Sequence, residues 1–387
     1  MRVLLVSDGY PPTAGGLESH VQRLARYLHS VGHVPTVVAV DGGQSELWDV
    51  IPASTVLGRV PALFLNDSRG LPPPWPDPIL GSVIESAARN SEAEIIHAHG
   101  WCSSSASRTA RRMSIPLVVT LHDYGLLCPM RTLLNDGGLC SHTAGPRCVH
   151  CKGSDQSTPK RVALGIGMRF GRPQYPTYLA VSNAVADIHG ARGIAESIEV
   201  VPNFLDPPDD PPTPTPPDGP VLYVGPSNEA KGFKVISEAH RLLVARGHAV
   251  TLRHVGGNDV SQTSFVIRSG RLEGSDVDAA FRSSRLVIVP SIWEEPCPTV
   301  ALEAMARGRA VVASRIGGLT DIVEHGTTGL LVRPNHPGDL ADAIELLLDD
   351  PALTASMGMA GRERFVERFS TERVGPMIER VYTMAST

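Results

Sequence analysis

Short apolar runs alternate along the chain with longer stretches whose apolar residues recur at helical spacing. In the first half, the runs predict strands at residues 2–6, 36–40, 95–97, 117–121, 178–181 and 198–201. In the second half, they predict strands at residues 221–224, 250–255, 286–289 and 310–313, with a further strand near Leu330. Runs that are apolar throughout are typical of parallel strands buried on both faces. The alternation therefore predicts an α/β protein built on parallel sheets.

A proline-rich stretch at residues 206–220 separates the two halves. Its sequence, DPPDDPPTPTPPDGP, favours an extended, semi-rigid spacer because proline at this density interrupts helix and sheet. A chain of 387 residues also exceeds one typical domain. We predict a first domain over residues 1–205, a linker over 206–220, a second domain over 221–365 and a C-terminal helical segment over 366–387.

Residues 286–318 predict one strand–loop–helix–strand unit, with the helix over 299–307. Open parallel sheets bind ligands beyond the carboxyl ends of their strands, where this loop lies. Pro298 fits the first helical position, because the missing N–H has no partner there in any case. The free amides of Thr299 and Val300 would then face an anion such as a phosphate group.

Two carboxylates accompany this helix start, and seven residues separate Glu295 in the loop from Glu303 in the helix. Their spacing alone leaves two interpretations open. Each carboxylate could bind a hydroxyl pair on a different part of one ligand. Alternatively, Glu303 is an ordinary exposed helix residue and Glu295 interacts only with the helix dipole.

Residues 290–314 read P-S-x-W-E-E-P-C-P-x-x-x-L-E-A-M-A-x-G-x-x-V-V-A-S. This segment resembles the nucleotide-sugar motif of the retaining family 4 glycosyltransferases. Those enzymes adopt the GT-B fold, in which two Rossmann-like domains face one another across a central cleft. The resemblance implies that Glu295 contacts the hydroxyls of the donor sugar and that Glu303 holds the ribose. It also implies that the backbone behind Pro298 holds the diphosphate.

Other segments match further motifs of the same family: G-G-L-E-x-H-V after the first strand, T-L-H-D, V-P-N and G-x5-K-G. The resemblance gives His122 a contact with the donor sugar, although a lone histidine is often a structural hydrogen-bonding residue. It places Lys231 at the diphosphate, where the alternative is a solvated lysine at a helix start. The remaining donor-side positions that these motifs imply are Gly15, Gly16, Asn203 and Gly225.

The activity that the resemblance implies is retaining hexosyl transfer. A nucleoside-diphosphate sugar, with UDP or GDP as carrier, would donate the sugar to a hydroxyl of a small-molecule or saccharide acceptor. Where the family usually has arginine after the glycine of G-x5-K-G, this chain has Pro226. A non-catalytic nucleotide-sugar-binding protein is therefore one alternative, and a GT-B epimerase or phosphorylase is another. No D-x-D motif stands out, so we expect chemistry without a catalytic metal.

Composition limits the partner classes. Basic residues number 35 and acidic residues 40, so the formal net charge is −5 and a nucleic-acid partner is not expected. No apolar run approaches the roughly 18 residues of a spanning helix. The first residues predict a strand rather than a signal segment, and we expect a cytoplasmic protein without a membrane span.

Four of the six cysteines lie within a predicted insert at residues 124–155. Cys128, Cys140, Cys148 and Cys151 have the spacing C-x11-C-x7-C-x2-C, and Cys128 belongs to an H-D-Y-x-L-x-C-P segment that some family members share. Thiols that end in C-x2-C resemble a structural zinc site. Free thiols and disulfides remain alternatives.

Overall fold

The chain folds into two units in the computed structural model, which describes residues 1–12, 15–41, 45–53, 74–135, 138–142, 144–151, 158–174, 176–257, 260–262, 266–272 and 274–386. Unit 1 comprises Met1–Asn203 and Val374–Thr387, and unit 2 comprises Phe204–Arg373. Residues 136–137, 143 and 152–155 of the predicted insert lie outside the described residues. Among the described helices, none combines the length and the apolar character that crossing a membrane requires.

Unit 1 contains a seven-stranded parallel sheet in the order β3-β2-β1-β4-β5-β8-β9. Its strands are β1 (Arg2–Gly9), β2 (Val34–Asp41), β3 (Asp49–Pro52), β4 (Ile95–His99), β5 (Leu117–Leu121), β8 (Thr177–Ala180) and β9 (Glu199–Val200). A separate hairpin joins β6 (Leu134–Asn135) to β7 (Gly138–Leu139). The helices are α1 (Gly16–Ser30), α2 (Pro78–Asn90), α3 (Ser103–Met113), α4 (Thr158–Gly171) and α5 (Asn183–Ala191). Short 3-10 helices lie at Gly100–Cys102 and Pro146–His150.

Unit 2 contains a second seven-stranded sheet in the order β12-β13-β11-β10-β14-β15-β16, parallel except for β12. Its strands are β10 (Val221–Val224), β11 (Leu252–Val255), β12 (Val260–Gln262), β13 (Val266–Ser269), β14 (Leu286–Val289), β15 (Ala310–Ser314) and β16 (Gly329–Val332). The helices are α6 (Phe233–Ala245), α7 (Ser275–Arg282), α8 (Thr299–Ala306), α9 (Leu319–Ile322), α10 (Pro337–Asp349) and α11 (Pro351–Arg368). The last helix, α12 (Thr371–Ala385), belongs to unit 1 from Val374 onward.

Each sheet has a point at which the strand order reverses. In unit 1 the strands that follow β1 are added on one side of it, and β4 and the later strands are added on the other side. In unit 2 the corresponding neighbouring strands are β10 and β14. Such a reversal leaves a crevice beyond the carboxyl ends of the two strands, where open α/β sheets bind ligands. The predicted α/β class with two parallel sheets is confirmed, and the reversal points indicate where each unit would hold a ligand.

The proline-rich segment differs from the spacer that its composition predicts. The division between the units falls between Asn203 and Phe204, before that segment begins. Buried Arg309 donates hydrogen bonds to the carbonyl and the hydroxyl of Thr213, at 3.0 and 2.6 Å. Hydrogen-bond donors on unit 2 therefore hold this extended segment against the unit, although its prolines exclude it from the sheet.

Helix α12 packs against α1 within unit 1. Tyr27 on α1 donates a hydrogen bond of 2.7 Å to Glu379, and His33 lies 2.8 Å from the other oxygen of the same carboxylate. A Cβ atom added to Gly375 would lie 2.2 Å from the Tyr27 ring. The glycine thus permits the close approach of the ring to the backbone of α12.

We expect Gly375→Ala to lower the free energy of unfolding by about 1–2 kcal/mol, because the new methyl group displaces the packed Tyr27 ring. Urea unfolding, monitored by tryptophan fluorescence, measures the change. The matched control is Gly190→Ala on α5, where an added Cβ meets no atom within 4 Å. That control should be neutral or more stable, since alanine favours helix by about 1 kcal/mol. A Gly375→Ala protein as stable as the control would contradict the packing described.

Candidate functional site

Two loops of unit 2 meet at the point where its strand order reverses. The loop at residues 225–232 follows β10, and the loop at residues 290–298 follows β14. The Ile292 amide donates to the Ala230 carbonyl at 2.9 Å. Gly232 has φ +74°, and a Cβ atom there would lie 1.9 Å from the Pro290 carbonyl oxygen. Only glycine allows this approach, which brings the two loops into backbone contact.

The loop contact places Lys231 beside Glu295. Lys231 Nζ lies 2.6 Å from Glu295 Oε1, and the Ser291 hydroxyl donates to the same oxygen at 2.6 Å. Glu295 is only 2% exposed. A carboxylate removed from water to this extent requires an opposite charge and hydrogen-bond donors, and these two residues supply both. The ammonium group also lies 5.3 Å from the centre of the Trp293 ring.

A glycine turn fixes the backbone of Glu295. The Gly318 amide donates to the Glu295 carbonyl at 2.6 Å. Gly317 has φ +55°, and a Cβ atom there would lie 2.3 Å from the same oxygen. The carboxylate is therefore held through its backbone and its side chain together.

Helix α8 starts at Thr299, as its sequence predicts, but Pro298 does not occupy its first turn. Pro298 has ψ 116° and caps the helix instead of occupying its first turn, so Thr299 is the first helical residue. The predicted position of Pro298 was wrong because its fixed φ is compatible with both the cap and the first turn. The amides of Thr299 and Val300 still belong to the first turn, where helix geometry leaves amides without intrahelical acceptors. Glu303 lies one turn further on and is half-buried.

The backbone of the loop after β10 is held from several sides. The Gly225 amide donates to the Val255 carbonyl, and His254 Nε2 lies 2.8 Å from the Gly225 carbonyl oxygen. The Tyr223 hydroxyl donates to the carbonyl of Pro226 at 2.8 Å. Asn228 Oδ1 accepts from the Lys231 amide at 2.9 Å. Pro226 thus serves as a backbone acceptor at the position where the sequence comparison expects a cation.

In unit 1, His122 belongs to a cluster of histidines beyond the strand ends. His122 Nε2 lies 2.9 Å from His99 Nδ1 at the end of β4, and the His20 ring centre lies 4.6 Å from that of His122. Burial lowers the pKa of His122 well below its ordinary value, and repulsion from His97 and Arg131 lowers it further. The imidazole is therefore neutral at physiological pH. In this state one ring nitrogen donates a hydrogen bond and the other accepts one.

His97 lies deeper and has a structural environment. Its ring nitrogens lie 2.7 Å from the Tyr382 hydroxyl on α12 and 2.7 Å from the Thr120 hydroxyl on β5. Burial lowers the pKa of His97 to about 3. This residue therefore links the sheet of unit 1 to α12.

The glycine pair after β1 opens helix α1. Gly15 caps the helix, Gly16 is its first residue, and both are exposed. A Cβ atom on Gly15 would lie 2.0 Å from a carboxylate oxygen of Glu18, whereas one on Gly16 would meet no atom within 4 Å. Asn203, the last residue of this part of unit 1, is buried beside His20.

A second buried ion-pair network adjoins His122, and sequence patterns did not predict it. Arg131 donates to Asp8 at 3.0 Å and to Asp123 at 2.6 and 2.7 Å. Asp8 also accepts from the amides of Trp101 and Cys102. Arg131 lies in the cysteine-rich insert and Asp123 directly follows His122, so the insert is tied to the histidine cluster.

The four cysteines predicted as metal ligands, Cys128, Cys140, Cys148 and Cys151, line one cavity of unit 1. Cys102 and Cys297 are buried elsewhere.

Of the residues that the sequence assigned to the donor, Lys231 and Glu295 touch one another. Ser291, which binds Glu295, was missed, although it lies four residues earlier in the same motif.

The family models cover most of the chain. Residues 14–208 match the family described as Glycosyltransferase Family 4, and residues 219–350 match Glycosyl transferases group 1. A D-inositol 3-phosphate glycosyltransferase of Pseudarthrobacter chlorophenolicus is 36% identical over 159 residues, which cover 37% of this chain and 38% of that protein. A glycogen synthase of Mycobacterium tuberculosis is 27% identical over 421 aligned positions, covering 100% of this chain and 95% of that protein.

Solved structures share the fold along almost the whole chain. Sucrose-phosphate synthase from Thermosynechococcus elongatus has a TM-score of 0.71 at 18% identity, with 99% of each chain covered. Anabaena Alr3699/HepE in complex with UDP-glucose has a TM-score of 0.68 at 20% identity, covering 99% of this chain and 100% of that chain. The GT-B fold class is thereby confirmed. With the family match to more than half of its residues, the chain belongs to glycosyltransferase family 4 and is a glycosyltransferase.

Proposed function

We propose that this glycosyltransferase is a retaining hexosyltransferase that uses a nucleoside-diphosphate sugar and a hydroxylated acceptor. The observation that carries the proposal is the contact of Lys231 with buried Glu295 at the reversal point of the unit 2 sheet. An ion pair alone is weak evidence of function. A buried pair on two loops beyond the strand ends, next to a helix N-terminus, supports binding of a ligand that carries both phosphate and hydroxyl groups.

The diphosphate would bind to the first turn of α8 and to Lys231. Amides at Thr299 and Val300 point out of the helix end, where the helix dipole favours negative charge. The Lys231 ammonium has three donors and gives one to Glu295, so two remain for phosphate oxygens. Because these groups are fixed before the reaction, they stabilise the charge that develops on the leaving diphosphate.

The two carboxylates would recognise the two sugars of the donor. Glu295 Oε1 is occupied by Lys231 and Ser291, and we assign Oε2 to the hydroxyls of the transferred sugar. We assign Glu303 to the ribose hydroxyls and the backbone at Gly225 to the phosphate side of the ligand. These roles follow the family motif. The role of Glu295 is also supported by its burial and by its hydrogen bonds to Lys231 and Ser291.

For unit 1 we propose that His122 contacts the transferred sugar and that Gly15, Gly16 and Asn203 belong to the donor side. The neutral state of His122 supports its role, since a neutral imidazole bonds a sugar hydroxyl without placing a charge beside it. The exposed backbone at Gly16, with open space above it, allows a ligand to approach closely.

Retention of configuration would come from a front-face reaction. The bond between the anomeric carbon and the phosphate oxygen breaks, and its electron pair stays on the diphosphate. The acceptor oxygen bonds to the same face of the anomeric carbon, and its proton passes to the departing phosphate oxygen. A retaining glycosidase would instead need two carboxyl groups about 5 Å apart around the bond. Here Lys231 already engages Glu295, which favours the route without a protein nucleophile.

We also infer that the cysteine-rich insert defines a subfamily.

We expect Glu295→Gln to lower kcat/KM about 10- to 100-fold, because the buried acceptor loses the charge that strengthens its bonds to Lys231 and to the sugar. The donor is first chosen by a thermal-shift panel of UDP-, GDP- and ADP-sugars. The affinity for the free nucleoside diphosphate, measured by calorimetry, should change much less than kcat/KM of the transfer reaction.

The matched control for this variant is Glu294→Gln, the same change one residue earlier. Its turnover should stay within a few-fold of the wild-type value. Donor that binds without transfer in the wild type, with affinity unchanged in Glu295→Gln, would instead support a non-catalytic binding protein. Sugar isomers formed without acceptor would support an epimerase.

Transfer should persist in excess EDTA, because helix amides and Lys231 meet the diphosphate charge in this mechanism. Initial rates with and without the chelator, together with a circular dichroism spectrum of each sample, measure this. Loss of activity in protein that stays folded, with recovery on addition of Mg²⁺ or Mn²⁺, would overturn the metal-independent mechanism.

A further inference from the structure

Unit 1 contains a cavity of about 350 Å³ whose wall includes the thiols of Cys128, Cys140, Cys148 and Cys151. Cys128 is buried and the other three are partly exposed. Arg147 and Arg161 also line the cavity, and apolar residues such as Leu127 and Ala144 complete the wall. Four thiols from three separate turns of the chain therefore converge on one space beside two positive charges.

Backbone amides also bind two of these sulfur atoms. The amides of Met130 and Leu133 donate to the Cys128 sulfur, and the Gly145 amide donates to the Cys148 sulfur. Such donors would remain as partners of the sulfur atoms when these bind a metal.

Arginines on neighbouring helices hold the peptide chain around the cavity. Arg192 at the end of α5 donates to the carbonyls of Cys140 and His142, and Arg161 on α4 donates to the Cys148 carbonyl at 3.4 Å. The only strand pairing described within the insert is the two-residue hairpin of β6 and β7. A cross-link between the cysteines would order a segment that has little regular structure of its own among its described residues.

The structure assigns a thiophilic metal centre to Cys128, Cys140, Cys148 and Cys151, either one zinc ion or a four-iron, four-sulfide cluster. Both bind to four cysteine thiolates. Four sulfurs at about 2.3 Å from one zinc ion lie about 3.8 Å apart.

The spacing of the thiols bears on the zinc alternative. Among the described residues, three or more potential ligand atoms lie within 4.8 Å of one another in His20–His99–His122 and in His248–Glu345–Asp349, so no three of the four thiols are that close together. Binding of one zinc ion therefore requires the thiols to move closer to one another. The metal content distinguishes zinc from the iron–sulfur cluster.

A metal centre here would also position the residues beside His122. Arg131 follows Cys128 by three residues, and its amide donates to the Cys128 carbonyl at 2.9 Å. The Arg131 side chain binds Asp8 and Asp123. The cross-linked cysteines would hold Arg131, and through it Asp123, in place. Arg131 is therefore a positioning residue. Its positioning role depends on the proposed function, whereas the metal centre does not.

The test is the metal content of the full-length protein, purified anaerobically without chelator. Plasma mass spectrometry and an assay for acid-labile sulfide should find about one zinc per chain, or about four irons with four sulfides. Cys148→Ser/Cys151→Ser should reduce the metal content at least about tenfold. The matched control Cys297→Ser changes a buried cysteine of unit 2 and should keep the full content.

The double variant could unfold, so a second measurement uses wild-type protein from which metal has been stripped. Titration with Co²⁺ should give the sulfur-to-metal charge-transfer absorption of thiolate coordination. Protein without metal, without this absorption and with four thiols open to Ellman's reagent in the folded state would overturn the proposal. A disulfide among the four cysteines, or metal retained in the folded double variant, would overturn it as well.

Discussion

The contact between the loops after β10 and β14 in unit 2 depends on one buried carboxylate. Glu295 is almost fully removed from water, and burial of a carboxylate without partners would cost several kcal/mol. Lys231 and Ser291 offset this cost by bonding to the same oxygen. The remaining lone pairs of Glu295 and the remaining donors of Lys231 are therefore the groups available to a ligand.

Two glycines make that pair possible. Gly232 and Gly317 both have positive φ, and at both positions a Cβ atom would collide with a carbonyl oxygen of residues 290–295. The loop that carries Lys231 and the turn at residues 317–318 can therefore both lie directly against the loop that carries Glu295. These backbone contacts hold the two loops and the turn together.

Local patterns were sufficient for much of the fold and for part of the candidate site. Strands β5, β10 and β14 have the predicted bounds, because fully apolar runs with turn residues at both ends leave little ambiguity. The position of Pro298 was less certain, since its fixed φ suits both the cap and the first turn of α8. The motif around Glu295 indicated its importance but gave no sign that its partner would be Lys231.

Contacts between distant residues were beyond the reach of the sequence. Arg131 meets Asp8, and His97 meets Tyr382, only because the chain folds back over more than a hundred residues in each case. Neither pair has a local pattern that would reveal it. The hydrogen bond from Arg309 to the proline-rich segment could not be predicted for the same reason. Composition predicts that this segment is stiff, but it does not predict which residues the segment contacts.

The most direct test of the account is the affinity of the preferred nucleoside diphosphate for wild-type protein and for Lys231→Met, measured by calorimetry at two salt concentrations. Loss of the ammonium should weaken binding at least about tenfold, consistent with the 1.5–3 kcal/mol of a hydrogen bond to a charged group, and should reduce its salt dependence. Equal affinities in a variant that remains folded would show that the diphosphate binds elsewhere.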